Sequence, residues 1–395
     1  MKLFNTLTQS LEEFVPIDDK AVRIYVCGIT PYDTTHLGHA FTYGSFDTLI
    51  RYLEFLGYTV NYVQNVTDID DDILRKSREL GVAWDELGRR ETERYLNDMA
   101  TLNVRRPNVY ARATQEIPAM IEIISTLLAK GYAYESGGSV YFSVKQDPEF
   151  GIMGRAIGLN DYHAMLTIAN ERGNYPDDPR KKDPLDFVLW QAQAPGEPAW
   201  PSPWGPGRPG WHIECSAMSM RYLGPQLDIH GGGADLAFPH HTCEIAQSEH
   251  FTEKAPFSRF WMHTGMVEQD GEKMSKSLGN LTLVSDLLKD YSPDAIRIML
   301  LNHHYRYPWE CYPADLQTAS EIAALFQEVR TIADNQVDGQ DTMLRDRFTA
   351  AMDNDLNTPQ ALLLLKQAAE AAVANSDANT GAEVLRLAKV LGLRV

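Results

Sequence analysis

Apolar positions along the first hundred residues follow two periods, which together predict strands and helices in alternation. A short apolar run over 22–26 predicts a strand, and an amphipathic pattern over 41–56 predicts a helix after it. Residues 58–66 repeat the strand pattern and precede a charged helix. Because strands that alternate with helices form parallel sheets, we predict an α/β fold with a doubly wound, Rossmann-like parallel sheet.

Two later regions depart from this alternation. Residues 145–210 are dense in proline and glycine, above all over 177–184 and 195–210, and such density argues against regular structure there. From Ser285 onward the pattern is helical. We predict four parts: a nucleotide-binding catalytic domain in two halves, a connective insertion, a loop and stem-contact region, and a C-terminal helical bundle. In that order they cover 1–144 with 211–267, 145–210, 268–310, and 311–395.

Composition narrows the class of protein. The chain has 395 residues, 44% hydrophobic and 23% charged, and lacks an apolar stretch of membrane-spanning length or a signal-peptide core. We therefore expect a cytoplasmic protein without a membrane partner, in which the four cysteines stay reduced and suit metal or catalytic roles. The net charge of −18 argues against a broad nucleic-acid surface but leaves room for a local basic groove.

His36 and His39 lie between the first predicted strand and the first predicted helix. Ligands of open α/β sheets bind beyond the carboxyl ends of strands, opposite a helix N-terminus. Two imidazoles at this position can hydrogen-bond to phosphate oxygens. Cys27, directly after the strand, adds a thiol to the same mouth.

A second constellation combines thiols, an imidazole and a carboxylate. Cys215 lies on a predicted helix, and His240 and Glu244 are four residues apart on one face of the next helix. Together with Cys27 these are ligand types that zinc prefers. The alternative is two buried cysteines and a histidine with an ordinary partner. His241 and Cys243 compete for the ligand roles, since neighbouring helix positions point about 100° apart.

Two further segments carry candidate nucleotide chemistry. Gly231-Gly-Gly-Ala-Asp235 follows a predicted strand, where glycines permit close approach to a nucleotide and the acid can accept from ribose; a tight turn is the more common explanation. Lys273-Met-Ser-Lys-Ser277 offers two ammonium groups and two hydroxyls for a triphosphate, or else forms a solvated loop.

These motifs carry a family resemblance over essentially the whole chain. His36-Leu-Gly-His39 resembles the HIGH signature, and 273–277 resembles the KMSKS signature, of class I aminoacyl-tRNA synthetases. The segments 25–30, 65–71, 209–218, 231–235, 238–241 and 261–266 are similar to those of the cysteine-activating branch. That branch contains cysteinyl-tRNA synthetase and a mycothiol-pathway ligase, which joins cysteine to the amine of glucosaminyl-inositol.

Three features favour the ligase. The form of 27–39 is closer to that of the ligase, and 171–176 is similar to its ERGGDP segment, although Asn174 and Tyr175 depart from it. The chain also stops after the predicted bundle, which holds seven Lys and Arg against twelve Asp and Glu, a poor surface for phosphates. Glu244 points the other way, because the synthetases have a fourth zinc ligand there. We therefore expect the sugar-amine ligase, with tRNA charging as the alternative.

The resemblance implies the following site. His36, His39, Lys273 and Lys276 stabilise charge on the phosphates of ATP with Mg²⁺, and zinc is held by Cys27, Cys215, His240 and Glu244. The residues that line the cysteine and adenylate pocket are Cys27, Gly28, Ile29, Thr30, Thr42, Asn65, Val66, Thr67, Trp211, Gly233, Ala234, Asp235 and Val267. Trp211 would otherwise be a core residue, and Asp33 is either the base of the second step or a turn cap. The partners implied are L-cysteine, ATP and glucosaminyl-inositol, with tRNA under the alternative, and we expect a monomer.

Overall fold

The structure, a computed structural model, describes residues 1–32, 35–269, 271–274, 281–333 and 341–395. The strands are β1 (Lys2–Asn5), β2 (Ser10–Glu13), β3 (Ala21–Ile29), β4 (Thr59–Val66), β5 (Val109–Arg112), β6 (Ala133–Ser136), β7 (Ser139–Phe142), β8 (Phe187–Ala192), β9 (Gly207–Pro209), β10 (Leu227–Gly233), β11 (Ser258–Thr264), β12 (Val267–Gln269), β13 (Glu272–Lys273) and β14 (Trp309–Glu310). The helices are α1 (Leu37–Phe55), α2 (Asp71–Leu80), α3 (Trp84–Thr101), α4 (Ile117–Ala129), α5 (Ile152–Ala156), α6 (Tyr162–Glu171), α7 (Trp211–Leu223), α8 (Thr242–Thr252), α9 (Val284–Asp290), α10 (Pro293–Leu301), α11 (Pro313–Ala333), α12 (Thr342–Asp353), α13 (Thr358–Asn375) and α14 (Ala378–Val390).

The central sheet confirms the predicted fold class. Its five strands run parallel in the order β11-β10-β3-β4-β5. The chain enters this sheet at β3, in the middle, and adds β4 and β5 on one side. It then adds β10 and β11 on the other side, which is the order of a doubly wound sheet. The change of direction lies between β3 and β10, where the carboxyl ends of the two strands open a crevice.

The two faces of the sheet are buried by different helices. Ile24 and Val26 of β3 pack into a cluster with α1, α10 and the C-terminal helices α11–α14. Tyr25 and Cys27, which alternate with them, pack into a second cluster with α4, α7 and α8. Because side chains alternate along a strand, this parity places the Cys27 thiol on the face that α7 and α8 cover.

A separate four-stranded antiparallel sheet, in the order β6-β7-β8-β9, joins 133–142 to the proline-rich segment. The expectation that 195–210 excludes regular structure is wrong at β9, which pairs with β8. Pro209 is tolerated because β9 is an edge strand, where a missing backbone donor costs little. The predicted domain boundaries stay a prediction.

The first predicted strand and helix correspond to β3 and α1, and both extend beyond their predicted limits. β3 runs to Ile29, since its pairing with β4 continues past a register shift after Val26. Cys27 and Gly28 are therefore within the strand and not after it. Helix α1 begins at the buried Leu37, directly after the extended residue His36. None of the helices in the described part of the chain has both the length and the apolar composition that a bilayer crossing needs.

Candidate active site and metal centre

His36 and His39 lie at the crevice of the sheet, as their position in the sequence predicts. His36 immediately precedes α1, and its backbone pairs with that of Leu283. The two imidazole rings stack with centroids 3.8 Å apart and planes inclined by 25°. This arrangement presents two ring edges beside the N-terminus of α1, where backbone N–H groups and the helix dipole favour an anion.

The structure brings Cys27, Cys215, His240 and Glu244 together, and all four side chains are buried. Their ligand atoms lie within 4.8 Å of one another. The two sulfur atoms are 3.8 Å apart, the Cys27 Sγ lies 3.6 Å from Glu244 Oε1, and His240 Nε2 lies 3.1 Å from the same oxygen. Two thiolates bound to one tetrahedral zinc ion stand about 3.8 Å apart, and a thiolate and a carboxylate oxygen about 3.5 Å. The donor set therefore fits zinc in both chemistry and spacing.

Electrostatics point to the same conclusion. Burial raises the pKa of Cys27 well above its usual range and also raises the pKa of the Cys215 thiol. Burial likewise lowers the pKa of His240. Thiolates in this environment need a nearby positive charge, which a divalent cation among the four ligand atoms would supply.

Of the two rivals for the ligand roles, one lies close by. His241 forms a second potential set with Cys27, His230 and Glu244, and its Nε2 is 3.3 Å from Cys27 Sγ. Cys243 is buried but belongs to neither of the two sets found among the described residues. The two sets share Cys27 and Glu244, so they describe one site with alternative partners and not two separate sites.

The histidines next to this group orient its members. His230 Nε2 lies 2.8 Å from Glu244 Oε2, the carboxylate oxygen that faces away from His240. His212 Nδ1 lies 2.8 Å from His240 Nδ1 and so leaves Nε2 for the metal position. Outer partners of this kind fix the tautomer and direction of metal ligands.

Trp211, predicted to line the amino-acid pocket, lies beside the metal group. Its indole stacks on the His240 ring at 4.3 Å and 23°, and the side chain is 38% exposed. The alternative that Trp211 is simply a core residue is therefore wrong. An exposed aromatic face beside the metal group can cover a small side chain that enters from solvent.

Four more of the predicted pocket residues connect the ends of β3 and β4. The backbone N–H of Gly28 donates to Asn65 Oδ1 at 2.7 Å, and Ile29 pairs with Val66. A Cβ atom at Gly28 would lie 1.6 Å from the carbonyl oxygen of Asn65, so the strands can approach only with glycine there. Thr30 follows directly at the mouth of the crevice.

Thr42 and Thr67 reach the same region from other elements. The Thr42 hydroxyl lies 2.8 Å from that of Thr264 at the end of β11. Thr67 follows β4, and its hydroxyl donates to the buried carboxylate of Glu214 at 2.8 Å. Burial raises the pKa of Glu214 well above its usual range.

The glycine run of the second nucleotide motif lies in a strand and not in a tight turn. Gly231 and Gly232 belong to β10, and a Cβ at Gly231 would lie 2.1 Å from the Phe46 ring. Gly233 ends the strand, and Ala234 and Asp235 form the turn after it. Close packing of β10 on α1 thus explains the first glycine.

Arg172 fixes the turn after β10. It donates to the backbone carbonyls of Asp235 and Phe238, and therefore ties the 171–176 segment to the predicted ribose site. Val267, predicted to bind adenine through its backbone, is buried at the start of β12, and its carbonyl accepts from the N–H of Met274 at 3.2 Å. Lys273 lies in β13 opposite Glu268, while Lys276 and Asp33 fall outside the described residues.

Sequence reasoning missed several residues of this site. The sequence predicts no role for four residues that lie in or beside its motif segments: Arg172, His212, Glu214 and His230. The helical spacing from Trp211 to Glu214 and Cys215 was a usable signal, since positions three and four apart share a helix face. His230 gave no such signal, because its contact with Glu244 depends on how α8 packs against the sheet.

The chain is similar to known proteins over most of its length. The family described as tRNA synthetases class I (C) catalytic domain matches residues 13–321. A cysteine–tRNA ligase of Dehalococcoides mccartyi is 47% identical over 366 residues, which cover 92% of this chain and 78% of that protein. An L-cysteine:1D-myo-inositol 2-amino-2-deoxy-alpha-D-glucopyranoside ligase of Kribbella flavida is 44% identical over 373 residues, covering 94% and 90%.

Solved structures share the fold at low sequence identity. Mycobacterium tuberculosis methionyl-tRNA synthetase in complex with methionyl-adenylate has a TM-score of 0.67 at 17% identity, covering 94% of this chain and 89% of that one. LeuRS of Agrobacterium radiobacter K84 has a TM-score of 0.70 at 11% identity, covering 96% and 84%. These structures support the doubly wound architecture.

Proposed function

We propose a function from one premise, that the chain belongs to the family of class I tRNA synthetase (C) catalytic domains. The chain is an ATP-dependent ligase that activates L-cysteine to cysteinyl-AMP and transfers the cysteinyl group to an acceptor. The observation that carries this proposal is the buried group of Cys27, Cys215, His240 and Glu244 at the same crevice as the stacked pair His36 and His39. Recognition of a thiol and chemistry on a phosphate thus have adjacent sites.

In the first step a carboxylate oxygen of cysteine attacks the α-phosphorus of ATP. A new O–P bond forms, the bond to the β-phosphate oxygen breaks, and pyrophosphate leaves with the electron pair. His36, His39, Lys273 and Lys276 are proposed to stabilise the charge that develops on the phosphates, and Mg²⁺ with ATP adds positive charge. None of these side chains needs to become covalently attached.

Selection of cysteine follows from the ligand chemistry. Zinc in the buried group would accept the substrate thiolate, whereas the hydroxyl of serine is a much poorer ligand. Shape alone would discriminate a single heavy atom by only about 1–3 kcal/mol. Trp211, stacked on His240, limits the pocket to a small side chain and excludes water.

In the second step the acceptor attacks the activated carbonyl, and AMP leaves. Transfer to tRNA is the interpretation with more support, because the cysteine–tRNA ligase of Dehalococcoides mccartyi is 47% identical to this chain, against 44% for the Kribbella flavida ligase. The sequence alone favoured the other acceptor, and the comparisons reverse that order. Asp33 stays a candidate base for this step.

The amine of glucosaminyl-inositol is the second candidate acceptor. It is supported by the 44% identity to the Kribbella flavida ligase and by the ligase-like form of residues 27–39. The 171–176 segment adds a structural link, since Arg172 holds the turn that carries Asp235. An amine must be unprotonated to attack, so transfer by this route would increase with pH.

A transfer assay with purified full-length chain tests the proposal. Cysteinyl adenylate labelled in the cysteinyl group is formed on the enzyme and then mixed with either tRNA(Cys) or glucosaminyl-inositol. We expect label to appear on tRNA; label on the amino sugar alone would establish the second candidate. Failure to form any adenylate from cysteine and ATP would contradict the proposed function itself.

A further inference from the structure

Thr67 has its hydroxyl group fixed by two neighbours. The hydroxyl donates to Glu214 Oε2 at 2.8 Å and accepts from Asn65 Nδ2 at 3.3 Å. The orientation of the Asn65 amide follows from Gly28, whose backbone N–H can only donate and therefore faces Oδ1. A hydroxyl has one hydrogen and two lone pairs, so after these two bonds Thr67 has only one lone pair left to offer a ligand.

Thr67 lies where the amino acid is proposed to bind. The backbone N–H of Thr67 donates to the carbonyl of Ile29 at 3.0 Å, so Thr67 lies beside the end of β3. Ile29 is two residues after Cys27 in that strand. Its partner Glu214 lies on α7 next to Cys215 and one turn from Trp211. Thr67 thus contacts the helix that supplies both the metal-binding sulfur and the aromatic wall.

Several acidic side chains lie near Thr67. Asp68 and Glu214 are both buried there, and Asp70 follows two residues later. Arg208, the cation that acts on Glu214, forms its own ion pairs with Asp71 and Glu197. The remaining lone pair of the Thr67 hydroxyl can accept a hydrogen bond from an N–H donor of the substrate.

We propose that Glu214 is a positioning residue that fixes Thr67 as an acceptor for the α-ammonium group of cysteine. The inference rests on the proposed function and adds a second element of selection to it. The thiol is recognised at the metal group, and the amine, two carbon atoms away from the sulfur, is recognised by the oriented hydroxyl. A thiol acid that lacks the amine gains nothing from this hydroxyl, so Glu214 affects only substrates that carry an α-amino group.

The test compares cysteine with 3-mercaptopropionate, which has the thiol and the carboxylate but not the amine. Glu214→Met removes the acceptor and lets the Thr67 hydroxyl rotate. In cysteine-dependent ATP–pyrophosphate exchange we expect the KM for cysteine to rise about 10- to 100-fold, as for loss of a hydrogen bond to a charged group. The KM for ATP and the inhibition constant of 3-mercaptopropionate should stay within about twofold, a split that a general structural defect would not produce.

Three variants make the result decisive. Glu214→Gln keeps a carbonyl oxygen that can accept from Thr67 and should restore most of the affinity for cysteine. Thr67→Val should reproduce the selective loss even if Glu214→Met folds poorly, and Thr67→Ser should not. Adding Glu214→Met to Thr67→Val should have little further effect, because both changes act on one hydrogen bond.

Several outcomes would overturn the inference. Equal weakening of cysteine and 3-mercaptopropionate, or an unchanged KM for cysteine in Thr67→Val, would mean that Thr67 does not receive the amine. Loss of zinc from Glu214→Met would assign Glu214 to the metal group instead. Lack of exchange by the unmodified chain would contradict the proposed function and is thus distinct from failure of this inference.

Discussion

Cys215→Ser, compared with Cys243→Ser, tests the metal centre by a matched pair of changes. Both cysteines are 1% exposed, and both substitutions replace a buried sulfur with oxygen. Cys215 belongs to the ligand group, whereas Cys243 belongs to neither of the sets found among the described residues. Any cost of burying a hydroxyl is thus common to the pair, and a difference in zinc affinity isolates the ligand role.

The expected size of this difference follows from the four-ligand geometry. Structural zinc sites bind with about 10–16 kcal/mol, so one ligand of four contributes about 2.5–4 kcal/mol. Cys215→Ser should weaken zinc binding about 10²- to 10³-fold, while Cys243→Ser should change it less than about threefold. The 3.8 Å separation of the Cys27 and Cys215 sulfurs is the structural basis for this expectation.

Zinc content after equilibrium dialysis in a chelator-buffered series of free zinc concentrations measures both affinities. Thermal unfolding of each variant with and without zinc shows whether the metal still stabilises the folded chain. Equal zinc affinity in the two variants would refute the ligand assignment. Loss of zinc from Cys243→Ser alone would place the metal on the other sulfur.

Three further predictions address separate parts of the chain. Lys276→Ala should slow adenylate formation about 10²- to 10³-fold while the KM for cysteine stays within about threefold, measured by pyrophosphate exchange, and equal effects would count against its role. Burial raises the pKa of Asp70 to about 7, whereas the same carboxyl in the unfolded chain loses its proton at about pH 4. The free energy of unfolding therefore falls as pH rises between these two values. Asp70→Asn should raise Tm more at pH 8 than at pH 4.5, measured by thermal unfolding at the two pH values. Asp47→Asn should destabilise the fold by about 3–5 kcal/mol in urea unfolding, because Asp47 forms a buried ion pair with Arg297; an unchanged midpoint would show that the pair contributes little.

Local patterns predicted most of the fold. In 22–66 the strands are buried on both faces and the first helix on one, and their apolar positions repeat accordingly. The parallel sheet of the structure produces this burial. Strand β9 was missed because its residues, Gly207, Arg208 and Pro209, have low strand propensity. It forms because the preceding strands offer an open edge, which a local pattern does not reveal.

Ligand chemistry and resemblance predict the four metal-group residues. Spacing relates only His240 to Glu244, because Cys27 and Cys215 are 188 positions apart. The four residues meet because the Cys27 side chain points to the face of the sheet that α7 and α8 cover. The orienting contacts of His230 and His212 depend on that same packing. They could not be predicted because they arise between elements and not within one.

The most direct test of the account is ATP–pyrophosphate exchange by the full-length chain loaded with zinc, with cysteine and serine compared at equal concentrations. The account predicts exchange with cysteine, little with serine, and loss of exchange when a chelator removes the metal. Exchange that proceeds equally with serine, or persists after complete removal of the metal, would contradict selection at the buried group. An absence of exchange with cysteine under these conditions would contradict the proposed activation of cysteine.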